Sequence, residues 1–233
     1  MSRSIPAAIL SALGQPEVYP FYAVEMLFDS GAVRLWTGYT DRGIGETIAA
    51  SAIQSGKQYV IKAVGTTDFT LIGATSNTVG QSFLATAAGS GTGTVNFAYL
   101  GAGTLLSISG IDEINDLSAK SATISLNGIS SEIVSLSLSE PYQRRQCRIL
   151  WGVTDVSDFV EIFGGYMNTM AIEDSGETSN ITLTVESKLI ELNRPRVRRY
   201  THESQKSRYP TDTFFSFVAD LQDKDIVWGR KTA

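Results

Sequence analysis

The sequence predicts a mainly β protein: an antiparallel β-barrel or sandwich with one or two short helices, an inserted small β module and an extended C-terminal arm. Three observations carry that expectation. Short runs alternate apolar and polar side chains, as in Ala122-Thr123-Ile124-Ser125-Leu126, the period of a strand with one buried face. Charged residues make up 18% of the 233 and hydrophobic ones 42%, with Ser, Thr and Gly filling much of the polar remainder. That mixture suits half-buried strands better than solvated helices. Turn-forming Gly, Asn, Asp and Ser recur between the alternating runs, where tight reversals need them.

The elements follow in chain order. Ile5, Ala8, Ile9 and Leu13 recur at helical spacing until Gly14 and Pro16 stop the pattern, which predicts a short helix over 4–13. From Tyr19 to Phe28, Tyr22, Val24, Met26 and Phe28 alternate with Ala23, Glu25 and Leu27. Asp29-Ser30-Gly31 then turns the chain, and Ala32 to Tyr39 returns. This is a hairpin. Residues 45–98 change in character: Gly, Ser, Thr and Ala dominate, and charge nearly vanishes after Asp68. Lys57 to Val64, Gly65 to Phe69, Gln81 to Ala85 and Gly91 to Val95 read as short strands joined by Gly- and Asn-bearing turns. The segment 45–98 is expected to be a β module inserted into a host domain made of 1–44 and 99–192.

The host domain resumes with expected strands at Thr104 to Ile108, Ala122 to Leu126, Gln146 to Val153, Val160 to Met170 and Ile181 to Lys188. Polar turns are expected at 111–114 and 174–177. Ser131 to Ser139 fits a strand or a short helix, and its Ser130-Ser131-Glu132 start and Glu140-Pro141 stop favour the helix. Residues 193–233 read as an arm, too short and too polar to bury a core of their own.

The residue types that carry chemistry are sparse. Cys147 is the single cysteine and His202 the single histidine. An internal disulfide and a Cys/His metal cluster are therefore excluded, and the lone Cys fits a reducing cytoplasm. Gly89-Ser90-Gly91-Thr92-Gly93-Thr94 is followed by no Lys and opens no helical pattern, so it reads as a turn or loop and not as a phosphate cradle. Asp112/Glu113 and Glu173/Asp174 fall at expected turns, where solvated acids are ordinary and the burial a general acid needs is missing. The expectation is a non-enzyme with no catalytic residues, no metal and no cofactor. No apolar run reaches membrane-spanning length, and Pro6 with the acidic continuation argues against a signal peptide. Cys147, between flanking strand residues, reads as a small buried hydrophobe, and His202 as a surface or interface histidine.

The sharpest charge feature is Arg194-Pro195-Arg196-Val197-Arg198-Arg199-Tyr200. Arginines recognise carboxylate or phosphate in a bidentate manner, so nucleic acid and an acidic protein surface are both open readings. The net charge of −5 and the extended backbone that Pro195 imposes favour an arm meeting acidic surface on a neighbouring subunit. Phe214, Phe215, Phe217 and Trp228 follow in a segment without a core. They must bury against a partner, as aromatic anchors of interfaces do, or against this chain's own β domain. Arg194, Arg196, Arg198, Arg199, Tyr200, Phe214, Phe215, Phe217 and Trp228 are the candidate interface residues.

Several passages resemble tail proteins of siphophages and prophages: 105–117, Thr123-Ile124-Ser125-Leu126-Asn127-Gly128-Ile129 and Leu136-Ser137-Leu138-Ser139-Glu140-Pro141-Tyr142. The best match is Ile181-Thr182-Leu183-Thr184-Val185-Glu186-Ser187 leading into 192–200. Over roughly 17–44 and 99–230 the chain resembles the baseplate hub family, similar to the hub of gene transfer agents and to tail tip protein L of lambda-type phages. Gly65-Thr66-Thr67-Asp68-Phe69, Asn77-Thr78-Val79-Gly80 and Gly89 to Val95 separately resemble a small β module found within structural proteins of marine phages. The resemblance implies a homo-oligomeric ring in the virion tail, made in the host cytoplasm. A trimer is favoured over a hexamer. The ring would lie between the distal tail protein or tube and the central tip or fibre protein, with DNA passing non-specifically through the channel. A distal tail adaptor whose insert binds host carbohydrate, and a tail-associated cell-wall hydrolase, are the alternatives. Some hub relatives hold an iron–sulfur cluster in a cysteine-bearing domain; with Cys147 alone, this chain is expected to hold none.

Overall fold

A computed structural model describes residues 4–101, 103–112, 118–127, 135, 138–175, 179–193, 195 and 197–221. The chain divides into two compact units, Met1–Glu191 and Leu192–Ala233. The structure is mainly β, 41% strand, and its two sheets are antiparallel, one of them curled into a half-barrel.

The half-barrel belongs to the first unit and has seven strands among the described residues. In sequence order they are β1 (Pro20–Leu27), β2 (Ala32–Trp36), β7 (Leu105–Ile108), β8 (Ser121–Asn127), β9 (Gln146–Val153), β10 (Phe159–Asp174) and β11 (Ser179–Ser187). In space they run β2-β1-β9-β10-β11-β8-β7. The bend is made by β10. Its first half pairs with β9 and its second with β11, and register shifts fall between Glu161 and Phe163 and between Met167 and Thr169. Such bulges add twist and turn a strand out of plane, so one long strand serves two walls. Strict alternation then fills the concave side: Val24, Met26, Ile124, Leu126, Ile149 and Leu183 are all fully buried there. Cys147 lies among them, and burial pushes its thiol up to about 12, with Glu25 adding to the shift. It is the buried hydrophobe that the sequence suggested.

The helix near the start is α1 (Ala7–Leu13), which buries Ile9. After the second sheet, the chain on either side of residue 102 touches both edges of the half-barrel. Leu100 exchanges hydrogen bonds with the β2 backbone at Arg34 and Trp36 (2.9 and 3.1 Å), and Thr104 accepts one from Asn127 at the end of β8 (2.8 Å). Most of the expected 131–139 helix lies outside the described residues; Ser135, Leu138 and Ser139 are helical. Glu173 and Asp174 are the last residues of β10 and not a turn, because the β11 ladder continues to Asp174–Ser179.

The second sheet is built from β3 (Arg42–Ala49), β4 (Gln58–Ala63), β5 (Ser82–Leu84) and β6 (Thr94–Tyr99), in the order β3-β6-β4-β5. Tyr59, Ile61, Phe69, Phe83 and Val95 form its core. Gly65 to Phe69 is not a strand. Its threonine hydroxyls take the backbone partners a ladder would supply: Thr66 N–H donates to Thr92 Oγ1 and Thr92 N–H to Thr66 Oγ1 (3.1 Å each), and Gly93 N–H donates to Thr67 Oγ1 (2.9 Å). Side-chain bonds of this kind compete with regular structure. A single 3₁₀ turn, Phe69–Ile72, follows. It ends at Gly73, whose φ of +112° and approach to the Leu84 carbonyl, 2.3 Å from where a Cβ would sit, admit no side chain.

The two sheets meet on the convex side of β1 and β9. Phe21, Ala23, Ile44, Tyr99 and Leu150 pack together there. Glu25 lies in the β1 register opposite Arg34 of β2 and Arg148 of β9. Its carboxylate takes hydrogen bonds from both, at 2.8 and 3.1 Å, and Arg148 also donates to Glu161 at 2.8 Å. The Arg34 guanidinium in turn lies 4.1 Å from the ring centroid of Phe97 in β6. Burial pushes the Tyr99 hydroxyl well above its ordinary value, and the Glu25 charge pushes it the same way. Burial alone would lower Arg148, but Glu161 and Glu25 outweigh it and hold that guanidinium up. Arg42, at the start of β3, donates to the carbonyls of Thr154 and Val156, and Gly45 N–H donates to Ser157 O at 2.8 Å. The second sheet is thus tied to the first by charge, aromatic faces and backbone.

Candidate assembly surface

The candidate residues of the arm begin in the extended stretch before α2 (His202–Lys206). Arg198, Arg199 and Tyr200 are exposed. Arg194, Arg196 and Trp228 lie outside the described residues. Beyond Tyr200 the chain coils: Thr201 caps α2 by accepting from Ser204 N–H at 3.3 Å, and a series of turns runs from 207 to 221. Asp212 ties these parts together. It accepts from the Gln205 amide at 2.6 Å and from Phe214 N–H at 2.8 Å. The Gln205 bond first, then the Phe214 N–H and the nearby His202, hold its carboxyl below the usual range.

That turn presents an aromatic cluster. Phe214 meets Phe215 edge-on at 5.0 Å and Phe217 at 6.3 Å, and Tyr200 meets Phe215 at 6.1 Å. Edge-to-face contacts at these separations are favourable, but they leave much of the rings in water. Phe214 is 66% exposed, Phe217 49% and Tyr200 81%. The structure therefore brings Tyr200, Phe214, Phe215 and Phe217 together on the second unit, with Arg198 and Arg199 just before them. His202 stands at the start of α2, partly buried. Its Nδ1 has no hydrogen-bond partner.

The first unit supplies a surface that the sequence does not announce. Among the described residues β7 is the last strand of the half-barrel and pairs only with β8. An edge strand offers a row of backbone donors and acceptors to another chain. Beside it opens a groove of about 670 Å³ at the mouth of the half-barrel, lined by Tyr22, Thr37, Leu106, Ile108, Ile111 and Ile162 among others, none of them charged. Leu106 is 51% and Tyr22 43% exposed, large apolar side chains left in water where the concave core ends. The sequence holds one signal for this: Leu105-Leu106 breaks the alternation, so one leucine enters the core and the other cannot.

A second, smaller recess of about 400 Å³ lies on the four-stranded sheet, lined by Glu46, Thr47, Gln54, Lys57, Tyr59 and Phe97 among others. Among the described residues no group of three or more His, Cys, Asp or Glu is placed to hold a metal ion, and no helix is long and apolar enough to cross a membrane. No family model matches the chain, and no curated protein matches it in sequence.

Proposed function

We propose that this protein is a non-catalytic structural subunit of a phage-type tail tip, a hub-like ring component that joins the end of the tail tube to the central tip or fibre proteins. The observation that carries the reading is the pairing of features suited to self-assembly. One unit ends its sheet, among the described residues, in an edge strand beside an apolar groove, and the other displays a cluster of exposed aromatic rings behind a basic stretch. Neither feature helps a monomer. Ring assembly converts a free edge from an aggregation liability into the subunit contact. The hub resemblance of 17–44 and 99–230 supplies the particular ring, in three copies or, as the nearest alternative, six. DNA would meet such a ring only as it passes through the channel.

Cryo-electron microscopy of the intact particle tests this reading directly. The expected result is density for the chain in a closed ring at the distal end of the tail. A chain absent from the particle, or an isolated protein that degrades cell-wall glycan, overturns it.

A second reading is favoured by the recess on the four-stranded sheet. Acid, amide, hydroxyl and ammonium groups line it together with Phe97, whose ring centroid lies 5.9 Å from Lys57 Nζ, a set of donors and acceptors that suits a sugar. In this reading the protein is a distal tail adaptor whose module touches host carbohydrate. Binding of the isolated protein to surface glycan, abolished by Lys57→Ala with Gln54→Ala, distinguishes it from a ring component with an inert module.

A further inference from the structure

We propose that the aromatic cluster of the second unit, Tyr200 with Phe214 and Phe217, docks into the Leu106–Ile111 groove of another copy of this chain. The inference deepens the ring reading above and names the two surfaces that meet.

Three observations converge on a second copy as the occupant. The first is charge. From Leu192 onward the sequence has nine Lys and Arg against five Asp and Glu, whereas residues 1–191 have ten against nineteen. The two units are thus opposite in sign, and an acidic body attracts a basic arm from its neighbour over a Debye length or so. The second is shape and polarity. The groove holds about 670 Å³ with no charged residue among its described lining, enough for two phenyl rings, and apolar pockets of this kind take aromatic anchors at the centres of interfaces. The third is that both surfaces are costly alone. Leu106 and Tyr22 on one side, and Phe214, Phe217 and Tyr200 on the other, keep between about two-fifths and four-fifths of their surface in water. Burying one set against the other removes both exposures in a single contact.

The geometry of the arm suits the task. Asp212 fixes the turn that carries Phe214, so the rings are presented in a set arrangement and lose little freedom on docking. The Arg198-Arg199 stretch just ahead of them is exposed and free to run along the acidic body of the acceptor, where Asp112 immediately follows the groove wall. The contact is heterologous, arm to groove, and therefore propagates from copy to copy until a ring closes.

Complementation between two defective chains tests the proposal. One chain carries Phe214→Ser with Phe217→Ser and keeps its groove; the other carries Leu106→Asp and keeps its arm. All three positions are exposed, so thermal midpoints within a few degrees of the parent should verify that each variant is folded. By analytical ultracentrifugation the parent self-associates, and each variant does so at least about tenfold more weakly. Mixed in equal amounts, the two variants form a one-to-one heterodimer that does not grow further, because only one working arm and one working groove remain. Variants that associate as strongly as the parent overturn the arm–groove contact while leaving a ring built through other surfaces standing. A mixture that stays monomeric also overturns it, since an intact arm and an intact groove are then present together and do not meet. Failure of the ring reading itself shows elsewhere, as absence of the chain from the particle.

Discussion

The two faces of β1 and β9 solve the same problem by different physics. On the concave face Val24, Met26 and Ile149 sit in a layer of aliphatic side chains with no polar partner to find. On the convex face the next residues along, Glu25 and Arg148, are held with Arg34 and Glu161 in a chain of ion pairs under the second sheet. Aliphatic packing is forgiving: hydrophobic side chains of the right volume interchange at modest cost. A partly buried ion network is demanding, because each charge is stable only while its partner is present. The concave face therefore makes the half-barrel, and the convex face decides which surface the four-stranded sheet sits on and at what angle.

The largest expected effect breaks that comparison from the charged side. Glu25 is 7% exposed, and Glu25→Ala leaves Arg34, itself largely covered, without a counter-ion against Phe97. Removing one partner of a buried pair costs about 3–5 kcal/mol. The value at Glu25 belongs near the lower end, since Arg148 keeps Glu161. Ile149→Ala, on the opposite face of the neighbouring strand, should cost about 2–5 kcal/mol through lost burial and the cavity left behind. Urea unfolding measures both. The two variants separate in a second observable: Glu25→Ala should loosen the sheet-to-sheet junction and raise amide exchange at Ile44 and Phe97, whereas Ile149→Ala should not do so preferentially. Equal exchange in both would show that the network has no special role at the junction.

The concave face makes its own prediction through Cys147. Its thiol is pushed up to about 12 by burial and by Glu25. A folded-state value raised above the unfolded one means that the contribution is complete below the unfolded pKa of about 8.5. It is lost as pH rises from there towards 12, because the unfolded chain gives up the proton first. At pH 8 the thiol should therefore react with a disulfide reagent only as fast as the protein opens, and with one equivalent immediately in denaturant. Rapid labelling of the native protein would place Cys147 outside the sealed layer.

How far the sequence carries the structure differs between these regions. Alternation locates β1, β8, β9 and β11 closely, because one buried face writes a period of two into the chain. The same rule is blind to β3, where Gly43, Gly45 and Glu46 interrupt any alternation, and the strand is held instead by its ladder to β6 and by Arg42. It also reads Gly65 to Phe69 as a strand, where threonine hydroxyls divert the backbone. Glu25 and Arg148 are visible as charges inside apolar strands, yet nothing local says that they are partners across 123 residues. The arm was legible by composition: the basic stretch and the aromatic residues stand out against a polar tail. The groove was not, because it exists only where β1, β7 and β10 come together.

The smallest effect sharpens the comparison at the rim. Arg145 pairs with Asp29 across the end of the half-barrel, and their side chains are 41% and 52% exposed. The contact joins residues far apart in sequence, as the Glu25 network does, but both ions stay exposed to water. Exposed pairs are typically worth up to about 1 kcal/mol and are screened by salt. Arg145→Ala should therefore shift the urea midpoint by a small amount that disappears in about 1 M salt, where the Debye length is near 3 Å, whereas the loss in Glu25→Ala should persist there. Salt thus tests burial directly. If the two variants respond to it alike, Glu25 is better solvated than its surroundings indicate, and the sheet-to-sheet junction must rest on the apolar cluster around Phe21, Ile44 and Leu150 and on the Arg42 and Gly45 hydrogen bonds.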